Sequence, residues 1–229
     1  MTETLTPREE FQPDYSAYHW QIIDLKRISY AEALELQQQT WNAVQEGGDH
    51  VLYLLEHNPV ITMGRRTDPE HLLRSRSELK EDGIELFKVD RGGSATYHGP
   101  GQLVGYVICK SSRMGGIHTL VKRILNIITE TIQSFGVPAT IDEDNPGVWT
   151  ETEVPRKLAA VGMSNTHGIT MHGFAINVDL PLSGFSAIVP CGLTLPVTTM
   201  AIETGKHLQV DDVKTRLIEI LKEDFKQEY

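Results

Sequence analysis

Cys191 stands in the segment Val189-Pro190-Cys191-Gly192-Leu193, where flanking proline and glycine place a thiol at a loop apex and not within an apolar strand. A free thiol titrates near about 8.5, so at neutral pH only a small fraction is thiolate unless a base or cation lies close. Three side chains are candidates for that neighbour. His98 and His172 both lie in glycine-rich segments, and histidine is the usual proton acceptor at this pH. Lys157 leads into the small apolar run Leu158-Ala159-Ala160-Val161-Gly162, where partial desolvation would lower its pKa and make it a usable base. A lysine snorkelling from a strand end suits the same position. The other cysteine, Cys109, ends the run Leu103-Val104-Gly105-Tyr106-Val107-Ile108, where a small thiol behaves as a buried hydrophobe. Two cysteines make no disulfide scaffold, and a cytosolic chain keeps both reduced.

A second concentration of chemistry is Arg91-Gly92-Gly93-Ser94-Ala95-Thr96-Tyr97-His98-Gly99-Pro100-Gly101-Gln102. Its glycines let the backbone turn sharply and approach a ligand, and its N–H groups could hold a carbonyl or oxyanion. Arg91 offers a planar fork for a carboxylate or phosphate. The same composition also suits a long turn between strands. No Gly-Lys-Ser/Thr follows, and Gly-x-Gly-x-x-Gly is absent, so a nucleotide is not implied. The histidines lack metal-ligand spacing and no Cys-x-x-Cys pair exists, so no metal is expected.

These groups need a scaffold. Ser29-Tyr30-Ala31-Glu32 has the form of a capping box. A first helix follows, with Ala31, Leu34 and Trp41 on one face and Gly47-Gly48 as its stop. Short apolar runs at 51–55, 60–63, 86–89 and 103–109, punctuated by Pro, Gly and Asn, predict strands. Ile117, Leu120, Val121, Ile124, Leu125, Ile128, Ile132 and Phe135 recur at spacings of three and four, which predicts a second helix. Strands at 158–163 and 169–178 are joined by Ser164-Asn165-Thr166-His167-Gly168, and a last helix begins near Asp211 or Asp212. The interleaving is irregular and the hairpins are local. The expected fold is therefore α+β, a mixed or antiparallel sheet flanked by helices. Residues 1–17 read as a flexible polar arm and 18–229 as one catalytic domain.

Hydrophobic residues make up 40% and charged residues 23% of the 229-residue chain, which excludes disorder and fibrous proteins and allows a substantial core. A formal charge of −10 argues against nucleic acid. No apolar run is long enough for a membrane span, and the acidic N-terminus is neither a signal nor a transit peptide, so the expected location is cytoplasmic. Arg65, Arg66, Arg113, Lys122 and Arg123 offer positive charge for an acidic protein partner.

Several segments together resemble the lipoyl(octanoyl) transferase family, the octanoyl-acyl carrier protein:protein N-octanoyltransferases. They are Glu56-His57-Asn58-Pro59-Val60-Ile61-Thr62-Met63-Gly64-Arg65, the run from Arg91 to Gln102, Lys157 to Gly162, Thr170-Met171-His172-Gly173-Phe174-Ala175-Ile176-Asn177-Val178, and Ile188 to Gly192. Val197-Thr198-Thr199 stands where the family pattern has Val-Thr-Ser, which keeps the hydroxyl. The resemblance implies the fold of biotin and lipoate protein ligases. It implies octanoyl transfer from octanoyl-acyl carrier protein through a thioester on Cys191, activated by Lys157, to a lysine of apo lipoyl domains of 2-oxoacid dehydrogenase complexes and of the glycine cleavage H protein. No ATP and no cofactor would be needed. His98 is a further candidate proton acceptor. The implied acyl pocket comprises Arg91, Gly92, Gly93, Ser94, Ala95, Thr96, Tyr97, His98, Ala160, Val161, Gly162, Gly173, Phe174 and Ala175. Three alternatives stay open: an ATP-dependent lipoate or biotin protein ligase, a relative that takes octanoyl from coenzyme A or another lipoyl protein, and an inactive module that binds lipoyl domains or carrier protein.

Overall fold

A computed structural model describes residues 20–142, 144–189 and 196–226. The arm expected at 1–17 lies outside them. Strand β1 (Trp20–Ile28) pairs in parallel with β2 (His50–His57), and helix α1 (Tyr30–Gln45) makes the crossover. The capping box is complete: the Ser29 hydroxyl accepts from the Glu32 N–H, and the Glu32 carboxylate accepts from the Ser29 N–H. The buried face is Tyr30, Ala33, Gln37 and Val44. Ala31 is exposed, because a 3.6-residue period through Tyr30 and Gln37 turns it outward, with Leu34 and Trp41 at the margin.

The main sheet continues with β6 (Gln102–Ile108), β10 (Ile169–Asn177), β9 (Lys157–Thr166), β8 (Gly147–Thr150) and β7 (Ala139–Ile141), in the order β1-β2-β6-β10-β9-β8-β7. All its pairings after β1–β2 are antiparallel. A second sheet holds β3 (Val60–Met63) between β4 (Glu85–Lys88) and β5 (Ala95–His98), parallel to the first and antiparallel to the second. The β9–β10 hairpin turns on His167-Gly168 alone, with φ of 52° and 78°. That is tighter than the five residues expected, since a two-residue loop with both φ positive matches strand twist and lets pairing run to Thr166–Ile169.

Alternation on β2 and β6 explains the layers. Leu52, Leu54, Leu103 and Val107 face helices α3 (Ile117–Ser134) and α5 (Val210–Lys226), meeting Ile124, Ile128, Leu217 and Ile220. Val51, Tyr53, Leu55, Val104 and Tyr106 face α1 and meet Tyr30, Ala33 and Val44. A sheet covered on both sides reads as continuous apolar runs, which is why these strands were visible in the sequence. Helix α2 (Arg76–Glu81), capped by Ser75 and Glu78, sets Leu79 against the second sheet with Ile61, Ala95, Tyr97 and Phe185. A short helix α4 (Met200–Thr204) is capped by the Thr199 hydroxyl, which accepts from the Ile202 N–H. No helix among the described residues is long and apolar enough to cross a membrane.

Candidate active site

Where the second sheet leans on β6, β10 and β9, the two leave a solvent-open cleft of about 520 Å³. Every residue expected to form the acyl pocket lines it except Ala95 and Tyr97. Those two point the opposite way because side chains alternate along β5: Thr96 and His98 enter the cleft, while Ala95 and Tyr97 join the core around α2. Tyr97 packs edge-on to Phe185 with ring centroids 5.6 Å apart. The small residues have a structural reason. A Cβ on Gly162 would lie 3.0 Å from the Gly92 carbonyl oxygen, and Gly93 has φ of 88°. Backbone itself therefore forms much of the wall.

Arg91 does not present an open fork. Its Nε and Nη2 donate to the Thr62 hydroxyl, Nη2 also to the Thr62 carbonyl at 2.8 Å, and Nη1 to the Gly92 carbonyl at 3.0 Å. The Gly92 N–H is likewise engaged, donating to the Met163 carbonyl. The guanidinium thus fastens the glycine loop to β3 while the residue lines the cleft, in place of the carboxylate or phosphate binding its type suggests. Arg65 pairs with Asp90 and Arg123 with Asp224, so two of the basic residues considered for a partner are engaged within the chain.

Three buried imidazoles back the cleft. His57 donates from Nδ1 to the Ile28 carbonyl and accepts at Nε2 from the Tyr106 hydroxyl, 2.7 Å away. His98 donates from Nδ1 to Gln102 Oε1 at 2.7 Å, an assignment forced because Gln102 Nε2 donates to the Tyr97 carbonyl and to Asn177 Oδ1. Burial above all holds these rings neutral, His57 and His172 down to about 4 and His98 to about 3, with the neighbouring His57 adding to the effect at His98. Desolvation also pushes the Tyr30 hydroxyl up to about 12 and the Tyr106 hydroxyl well above its usual value. His98 is therefore a hydrogen-bond acceptor at Nε2 and a poor base at neutral pH.

Lys157 begins β9 in a cavity that shares Thr96, Ala160 and Ala175 with the cleft. Its side chain is buried, with Nζ 4.5 Å from the centroid of the Trp149 ring. A polar chain joins it to His98: Gln102 bonds Asn177, whose Nδ2 donates to the Thr198 carbonyl, and the Thr198 N–H donates to the Lys157 carbonyl. Cys191 lies outside the described residues, but both flanks of 190–195 are fixed. The Val189 N–H donates to the His71 carbonyl, and the His71 ring bonds Ser94 of the cleft at 2.8 Å. On the other side, the Lys157 N–H donates to the Pro196 carbonyl at 2.9 Å. Cys109 is fully buried beside Thr170, and burial pushes its thiol up to about 12, which suits the structural part given to it. Tyr30, Thr62, Val104, Tyr106 and His172 also line the cleft. They come from α1, β3, β6 and β10, and only the folding of α1 and β3 over the main sheet brings them together.

The fold is shared with solved lipoate and biotin protein ligases. A putative lipoate protein ligase from T. acidophilum superposes with a TM-score of 0.72 at 19% identity, over 88% of this chain and 83% of that one. The biotin protein ligase from Aquifex aeolicus follows at 0.51 and 15%, over 90% and 68%. The lipoyl protein ligase A/B catalytic domain matches residues 29–222. An octanoyltransferase from Koribacter versatilis is 40% identical over 84% of this chain and 79% of its own length. One from Solibacter usitatus is 43% identical over 85% and 88%. The chain belongs to the lipoyl protein ligase A/B catalytic-domain family, and it is an acyltransferase of the octanoyl-transferring kind that serves protein lipoylation.

Proposed function

We propose that this enzyme takes an octanoyl group from octanoyl-acyl carrier protein onto the Cys191 thiol and passes it to a lysine of apo lipoyl domains, without ATP or a cofactor. Lipoyl domains of 2-oxoacid dehydrogenase complexes and the glycine cleavage H protein are the acceptors in this reading. The observation that carries it is the placement of Lys157 beside an apolar cleft, with Pro196 and Val189, which flank the segment bearing Cys191, bonded to Lys157 and, through His71, to Ser94.

Lys157 accepts the Cys191 proton. The thiolate attacks the carrier's thioester carbonyl, and the tetrahedral intermediate collapses with loss of the carrier thiol, which regains a proton. In the second half, the acceptor amine attacks octanoyl-Cys191, loses a proton to Lys157, and expels the Cys191 thiolate. Thioester aminolysis runs downhill to an amide, so no nucleotide is required. His98, too weakly basic to take a proton at neutral pH, lines the cleft and offers Nε2 as a hydrogen-bond acceptor.

Incubation with octanoyl-acyl carrier protein in the absence of ATP should add one octanoyl mass to the intact protein, and a lipoyl domain should then remove it. Cys191→Ala should abolish the adduct. An alanine variant that still carries the acyl group would show the nucleophile to be elsewhere. Pyrophosphate release that depends on ATP would favour the ligase alternative.

A further inference from the structure

We propose that His172 closes the far end of the cleft and sets the length of acyl chain this enzyme accepts, an inference that rests on the acyl-transfer reading above. The cleft has two ends. At one, Thr96, Ala160 and Ala175 are shared with the cavity that holds Lys157. At the other lies a second, solvent-open space between α1, the end of β4 and the β9–β10 hairpin, walled by Leu34, Trp41 and Met171 and by polar Gln38, Lys88 and Asp90. Among the described residues, His172 is the one side chain lining both spaces. An acyl chain entering from Lys157 meets this imidazole as a partition, with further, partly apolar space beyond it.

The partition is held with care that packing alone does not require. His172 has φ of 63°, a left-handed conformation that a histidine adopts only at a cost. Its N–H donates to Oε1 of Gln37, a fully buried residue of α1 whose Nε2 finds no partner among the described residues. The β10–β6 ladder covers Gly173–Asn177 and returns only at the isolated Ile169–Lys110 bridge. In the gap, the Thr170 hydroxyl accepts from the Cys109 N–H and donates to the Val107 carbonyl. Strained backbone persists where its surroundings over-determine it, and it concentrates at sites that bind or select. Tyr106, on the cleft side, stands edge-on to the His172 ring at 6.3 Å, so the side chain has a neighbouring ring to steady it as well as a fixed root. A neutral, buried ring suits contact with a methyl terminus. A longer chain would have to displace it, and overfilling a packed site is disfavoured.

The test is competition among acyl-acyl carrier proteins carrying 6, 8, 10, 12 and 14 carbons, read as the distribution of adduct masses on the intact enzyme. The variants are His172→Gly, which suits the positive φ, and His172→Asn, which tolerates it with a shorter side chain. The wild type should load eight carbons and discriminate against twelve. In His172→Gly the twelve-to-eight adduct ratio should rise by at least about tenfold, the scale of discrimination a few methylenes provide, with a smaller rise in His172→Asn. If thermal unfolding shows the glycine variant to be misfolded, the asparagine variant decides. A ratio unchanged within about twofold, or an equal loss at every chain length, would overturn the proposal and leave octanoyl transfer standing. A wild-type enzyme that loads no acyl chain would overturn both.

Discussion

Lys157 combines a buried side chain with a position at the meeting of three segments: the Trp149 ring under Nζ, the Pro196–Thr198 backbone alongside, and the cavity in front. Its amine needs only to be near the thiol to matter, since a few per cent of thiolate at neutral pH is otherwise all that Cys191 has. Lys157→Ala should therefore shift the pH profile of Cys191 alkylation by iodoacetamide upward, toward that of an unassisted thiol, and an unshifted profile would remove lysine from the activation step. Cys109 should not react in either protein, because its thiol is enclosed and held protonated up to about 12. The sequence alone left the activator open between two histidines and this lysine. The two rings are held neutral by desolvation, a property of the folded interior that composition around His98 and His172 does not carry.

At the scale of elements, what was legible follows what repeats. Helices α1 and α3 have long apolar periods, β2 and β6 are buried on both faces, and β9–β10 is a local hairpin. Strand β1 escaped detection because, as the outermost strand, it has no fully buried residue and mixes Asp24, Lys26 and Arg27 among its apolar positions. Helix α2 escaped because only Leu79 is buried, which leaves no stripe to read. Its capping box at Ser75 and Glu78 was the available signal. The glycine loop and the small residues of β9 and β10 were readable as a site. Tyr30, Thr62, Val104 and Tyr106 were not, since contributions from separate elements converge only in three dimensions. Ser75→Ala removes one capping partner and should lower unfolding free energy by about 0.5–2 kcal/mol in urea titrations, with octanoyl loading unchanged. A larger loss would mean that α2 braces more of the second sheet than Leu79 indicates.

For the molecule as a whole, the neutral histidines behind the cleft tie stability to pH. Each ring titrates near 6.5 in an unfolded chain but near 3 to 4 here, with desolvation the leading cause. The unfolded state thus binds more protons between those values, and stability falls as pH drops from about 6.5 toward 4, by up to roughly 1.4 kcal/mol per pH unit for each such ring. Urea midpoints measured from pH 7.5 to 4 should be nearly flat at the top and decline below pH 6.5. A midpoint that holds level down to pH 4.5 would show that these rings can protonate without leaving their places. The outer margins of the main sheet have a consequence for solubility. On β1, the register slips between Asp24 and Lys26, Lys26 turns to φ of 57°, and its ammonium pairs with Asp24, which Lys214 of α5 also holds. On the far side, β7 is only three residues long. A kinked, charged strand at one border and a stub at the other give a neighbouring copy no straight template for strand addition, so this seven-stranded sheet ends with itself instead of continuing into an aggregate.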